Sequence, residues 1–398
     1  MRRFFIVCTA SLLMLASASS ASAQDLVIVN GRLLDGAGVS VARGSIVIKG
    51  GRIASITEGT ADVPGVPVLD AAGMTVLPGF IDGHRHVIAG NPEQWLQKQA
   101  ADRLREFLEA GYTTLVSGGG PVPGIVQLKA RIENGSLTGP RIITSGRADP
   151  DLFKSADEAR AAVRKLAAAG IEIIKARLDP TPKPAQNAIL AAVVDEGTKN
   201  GLDTMVHAVS VPSMLAALEA GAQKLVHTPH GSWLSEADAK KVADAGVEML
   251  STAGFGLPVF GVFSRDNVPT FRDGKPWPGG IIDGQGRGRE AGEKTVNART
   301  LWDAGVTYGF GTDTGYLPRE GLKHELRALA LMFSAQDIIK MMGPGTAAFM
   351  DTMSDRGRLE PGTLADIVLV NGDPLELIHD LLNVKVVIKG GAIVVDKR

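Results

Sequence analysis

From residue 24 to residue 78 the apolar positions come in short β-branched runs closed by glycine: DLVIVNGRLLDG, GSIVIKGGRIASI and MTVLPGFID. Such runs read as strands joined by turns. The C-terminal end repeats the pattern in ADIVLVNGD and VKVVIKGGAIVV, and VIKGGAIV there echoes VIKGGRIA near the start. Two β-rich ends around a different middle predict one small sheet domain assembled from residues 24–78 and 346–398.

Between them, over residues 79–345, apolar runs alternate with helical patterns. GFIDGHRHV, YTTLVSGG, PRIITSG, IEIIKARL, DTMVHAV, KLVHTP, VEMLSTAG and VTYGFGTDTG read as strands. The stretches KQAADRLREFLEAG and SADEARAAVRKLAAAG read as amphipathic helices ending at glycine, and SADE and SAQD resemble helix-start capping boxes. Eight strands with intervening helices predict an α/β fold, a parallel (β/α)8 TIM barrel. A doubly wound open sheet is the competing arrangement, and the count of eight favours the barrel. In a barrel, functional groups sit at the C-terminal ends of the strands. The connection from Phe255 to Gly288, rich in Gly, Pro, Phe and Arg, follows the seventh strand and is expected to lie over the barrel mouth.

Composition narrows the class. The 398 residues are 44% hydrophobic and 21% charged, with a formal net charge of −1, and nothing in this balance points to a nucleic-acid surface or a basic membrane patch. Residues 1–23 read as a signal peptide: Arg2 and Arg3, an apolar run from Phe4 to Leu15, and small residues Ala21 to Ala23 before a cleavage site at Gln24. Cleavage would leave a mature protein exported across the inner membrane, with the periplasm its expected compartment. The single cysteine, Cys8, lies in this leader, so the mature chain has no disulfide and no thiolate ligand. No later run is apolar enough to span a membrane.

The candidate chemistry starts at LPGFIDGHRHV. On a strand, His84 and His86 face one way and Arg85 the other, and paired imidazoles can bind a metal. An isolated pair would read as an exposed strand end. Late in the other strands, however, come Lys175 in EIIKARL, His207 in TMVHAV, His227 in KLVHTPH and Asp313 in GFGTDTG. A lysine in an apolar strand is costly unless paired or altered. Burial makes its neutral amine available for carboxylation by carbon dioxide, and the resulting carbamate can bridge two cations.

In this order (H-x-H, Lys, His, His, Asp on strands one, four, five, six and eight), the chain resembles the amidohydrolase superfamily. The members it is most similar to have a carboxylated lysine and two metals, the imidazolonepropionase-like and metal-dependent prolidase-like subgroup. PGFIDGHRH, the later ligand positions and RGRLEPGTLADIVLVNGDPL carry the resemblance. It implies a (β/α)8 barrel with a small β-sandwich domain formed by both termini. It also implies two divalent metal ions, zinc by default with manganese, cobalt or iron open: His84, His86 and Asp313 on the first, His207 and His227 on the second, carboxylated Lys175 between.

The activity implied is hydrolysis of a small-molecule amide, such as a dipeptide or N-acyl amino acid, by a hydroxide held between the metals, with Asp313 as general base and then acid. His230 and Tyr316 are candidates for oxyanion contacts, their alternative being simple rim residues. Arg177, with Arg265 and Arg272, would suit a substrate carboxylate, Arg177's alternative being an internal ion pair. Lactones, cyclic amides, esters and carbamates are alternative substrates. Deamination is disfavoured because Ser210 stands where deaminases of this superfamily carry glutamate. A metal-binding protein without catalysis is the remaining reading, against which all six ligand positions are intact. The expected partner is a small molecule, with homo-oligomerisation open.

Overall fold

The computed structural model describes residues 25–255, 287–314 and 317–398. The expected leader, the connection after Phe255 with Arg265 and Arg272, and Tyr316 lie outside the described residues. No helix among the described residues is long and apolar enough to cross a membrane.

The chain opens with β1 (Leu26–Leu34), β2 (Ser40–Lys49), β3 (Arg52–Glu58), β4 (Val68–Asp70) and β5 (Thr75–Pro78). It then runs through the alternating middle: β6 (Phe80–Arg85), β7 (Tyr112–Ser117), β8 (Arg141–Ile143), β9 (Ser145–Arg147), β10 (Ile173–Arg177), β11 (Asp203–His207), β12 (Lys224–Val226), β13 (Glu248–Leu250) and β14 (Thr307–Gly309). It closes with β15 (Ile367–Val370), β16 (Val384–Lys389) and β17 (Ala392–Asp396).

Both termini build one sheet. β15 pairs antiparallel with β5, giving the order β17-β16-β15-β5-β1-β2-β3 with β4 beside β1. Ile28, Ile46 and Ile48 from the N-terminal strands share a core with Ile367, Leu369, Val386 and Ile388 from the C-terminal ones. Neither end has a complete apolar core without the other.

The middle strands are parallel, β6 to β7 to β8 and β9 to β14 in sequence order. β8 and β9 are one strand interrupted at Thr144, whose N–H is diverted to the Glu172 carboxylate at 2.8 Å. The two edges meet: Gly83 N–H donates to Phe310 O at 3.0 Å, and Asp313 N–H to His84 O at 2.8 Å. The eight strands expected from the sequence therefore close into a ring. Ile81, Val116, Ile143, Ile173, Met205, Val226 and Leu250, one from each of seven strands, fill its interior with Ala347, Phe349, Met350 and Met353. Strands covered on both faces need no alternation, which is why YTTLVS is buried throughout.

Candidate metal centre

Lys175 and His207 each follow an inner-layer residue, Ile173 and Met205, by two positions. Strand alternation alone therefore carries both side chains into the barrel, one layer nearer its C-terminal mouth. His227 has the wrong parity, one residue after Val226, and its backbone adopts φ 81°. Asp313 (φ 50°) and Thr252 (φ 41°) share this left-handed region with it. Outside glycine that conformation is uncommon and costly, and it concentrates at functional sites. β6 also slips in register between Asp82 and Arg85, just where His84 sits.

The side chains converge. Asp313 Oδ1 lies 3.2 Å from His84 Nε2 and 2.9 Å from His86 Nε2. His227 Nδ1 is 3.7 Å from Asp313 Oδ2 and 2.8 Å from Thr252 Oγ1. The His207 and His227 rings are 4.3 Å apart between centroids, and those of His84 and His227 5.4 Å. One ligand atom each from His84, His86 and Asp313 falls within 4.8 Å of the others. Nitrogen and oxygen ligands about 2 Å from a zinc ion occupy a region of that size.

Burial and the charge of Lys175 pull the His84 imidazole down to about 4 and that of His207 to about 3. Burial holds His227 well below its ordinary range as well. All three are neutral near pH 7 and carry free lone pairs. Burial opposes ionisation of Asp313, yet the surrounding His84, His86 and His227 hold its carboxyl far below the usual range. Burial brings the Lys175 amine down to about 8 against the pull of Asp313 and Asp149, and Arg147 adds to the fall. Lys175 Nζ and His227 Nε2 are buried without a hydrogen-bond partner among the described residues. Neutral imidazoles, an ionised carboxylate and orphaned buried nitrogens are costly in an empty protein interior and suit a divalent cation.

Other residues, not singled out by the sequence, support this set. Asp82 Oδ1 accepts the N–H groups of His84 (3.1 Å) and Thr312 (3.0 Å), and its Oδ2 accepts Thr312 Oγ1 at 2.6 Å. Arg85 points away from the imidazoles, as alternation predicts, but is fully buried: it donates to Thr312 Oγ1 at 2.9 Å and lies over the Phe107 ring. The signal for Asp82 was its place two residues before His84, where a carboxylate can accept the backbone N–H. Thr252 fixes His227 through Nδ1, leaving Nε2 for a ligand.

The remaining candidates lie at the rim. His230 is half-buried, with Nε2 3.8 Å from Glu290 Oε1 and Nδ1 unpartnered among the described residues; burial, then Lys294, lowers its pKa. Arg177 pairs with Asp151 at 3.1 Å, and both remain substantially exposed. Ser210 caps the helix Val211–Glu219 through a reciprocal box with Ser213, so its position serves the helix start.

A sequence model of the amidohydrolase family matches residues 75–394. An N-acyl-D-aspartate deacylase of Alcaligenes xylosoxydans xylosoxydans is 30% identical over 185 residues, 44% of this chain and 35% of that enzyme. The chain thus spans about a third of that relative's length. A putative prolidase from Bifidobacterium longum superposes with a TM-score of 0.77 at 24% identity, covering 95% of this chain and 97% of that one. A Xaa-Pro dipeptidase with methionine bound in its active site gives a TM-score of 0.74 at 25% identity, covering 93% and 99%. The match over residues 75–394 includes every converging side chain described above, and the chain belongs to the amidohydrolase family.

Proposed function

We propose that this chain is a metal-dependent hydrolase that cleaves the amide bond of a small molecule such as a dipeptide or N-acyl amino acid. The observation that carries the reading is the convergence of His84, His86 and Asp313 within 4.8 Å at the C-terminal ends of the first and last barrel strands. The deacylase and dipeptidase named among its relatives support the choice of bond. His84, His86 and Asp313 would hold one divalent ion, zinc by default, and His207 and His227 a second, with carboxylated Lys175 shared between them. Bound there, such ions acidify a coordinated water and polarise the scissile carbonyl.

The chain's own groups do the rest. Asp313, held anionic by the imidazoles around it, accepts a proton at its carboxylate and returns it to the leaving nitrogen. His230, at the rim, would donate from its imidazole to the carbonyl oxygen as charge builds. The terminal sheet is the family's small β-sandwich domain in this reading, and the leader sends the protein to the periplasm.

The test is amine release from a library of dipeptides and N-acyl amino acids, using zinc-loaded protein prepared with bicarbonate. Turnover lost in Asp313→Asn supports an amidase. No turnover from protein holding two metals moves the assignment to lactones, cyclic amides, esters or carbamates.

A further inference from the structure

We infer that Arg147 anchors the substrate's carboxylate, so the site selects amides that carry a free carboxylate beside the scissile bond. The inference rests on the hydrolase reading and names the residue and the chemistry behind its substrate preference.

Arg147 ends β9 directly opposite Lys175 of β10 in the parallel register. A Cβ built on Gly119 would lie 2.9 Å from Arg147 Cγ and 3.2 Å from Lys175 Cγ, so the two stems run side by side against that glycine. Arg147 is thus next to the converging ligands, yet its side chain is 56% exposed while that of its partner Asp149 is 2% exposed. A pair formed only to neutralise internal charge would hide both members. Here the buried acid holds the exposed base in place.

The form of the pairing matters. Arg147 Nε donates to Asp149 Oδ2 at 2.9 Å, and Nη2 donates to the same oxygen. One edge of the guanidinium is thereby occupied. Among the described residues Nη1 and the outer N–H of Nη2 are left over, and these parallel donors match a carboxylate's two oxygens. Being fixed by Asp149, the fork loses little further freedom when a ligand arrives. Arg177, tied to Asp151, stands two residues farther out on the neighbouring strand. Leu152, beside Asp151 and 63% exposed, offers apolar surface to a substrate side chain.

The experiment measures binding and turnover separately. N-acetylleucine and N-acetylleucinamide are titrated by calorimetry into metal-free wild-type protein, Arg147→Met, Arg147→Gln and Arg147→Lys. The wild type is expected to prefer the carboxylate by at least about tenfold, as one charge-assisted pair supplies. Arg147→Met and Arg147→Gln should bring the two ligands within about twofold, and Arg147→Lys, which keeps the charge and loses the fork, should fall between. Having two neutral variants guards against one failing to fold. Equal binding by the wild type, or an unchanged preference in both neutral variants, overturns the anchor. Turnover of the same compounds by metal-loaded wild type is read independently. Activity on both without a binding preference removes the anchor and keeps the hydrolase. A binding preference without hydrolysis of any amide removes the hydrolase reading and keeps the anchor.

Discussion

Asp313 and His84 are joined twice: Asp313 N–H donates to His84 O at 2.8 Å, and His84 Nε2 lies 3.2 Å from Asp313 Oδ1. The bond that closes the barrel also places the carboxylate against the imidazole. Asp313→Asn keeps the backbone bond and removes the proposed proton acceptor. It is expected to lower kcat roughly 10²–10⁴-fold, with secondary structure unchanged by circular dichroism. Activity within a fewfold of wild type would exclude Asp313 as the base.

Gly118 packs against the other side of His84. A Cβ there would fall 2.8 Å from His84 Cε1, closer than non-bonded carbons approach. Gly118→Ala should therefore tilt the ring and weaken metal binding about 10–100-fold, the range expected when a ligand's support is disturbed. Metal content by elemental analysis after dialysis against dilute chelator reads this directly. Full retention of bound metal would mean the ring is not a ligand.

Beneath the site, the Asp82 carboxylate binds Thr312 through both oxygens, and Arg85 reaches the same hydroxyl. Asp82→Asn leaves the buried Arg85 guanidinium short of its negative neighbour. A loss of about 3 kcal/mol or more in unfolding free energy is expected from urea titration. Adding Arg85→Met should cost much less than the two changes summed, because both changes act on one network. Additive losses would show that the two residues do not share a network.

The metal-free protein should lose stability on acidification. An unfolded chain protonates its histidines below about pH 6.5. In the folded protein, burial keeps His84 neutral down to about 4 and His207 down to about 3, with His227 also well below the ordinary value. The unfolded state therefore binds more protons as pH falls from about 6.5 toward 4, and folding weakens by up to about 1.4 kcal/mol per pH unit for each imidazole. Burial raises Glu325 to about 7, which acts in the opposite sense: between 4.5 and 7 the folded state holds the extra proton, so stability falls as pH rises. Three histidines outweigh one glutamate, and Glu325→Gln should steepen the slope. Chemical denaturation at several pH values checks this, and a flat profile from 6.5 to 5 would contradict it.

Much of this protein was legible without its structure, because the signals were local. Glycine-bounded β-branched runs located both parts of the terminal sheet, and apolar runs alternating with helical patterns located the eight barrel strands. SAQD formed the expected capping box on Ser334 and Asp337, whereas in SADE only the Ser155 half forms, with Glu158 turning to the Lys154 N–H. Position late in a strand picked out Lys175 and His207, and period-two alternation turned Arg85 away from the imidazoles. Alternation gives the face of a strand, but not the neighbour on another strand. His227 has the wrong parity in its strand and reaches the site through a left-handed backbone that no periodicity announces.

The sequence by itself determined which residues are candidate ligands and in what order the strands present them, since those properties depend on spacing along a single element. Only the tertiary structure decided which of them meet. Ring closure brings Asp313 onto His84, and the inner apolar layer sets the depth at which Lys175 is buried. Each of these is a contact between distant parts of the chain, set by packing that no local pattern encodes.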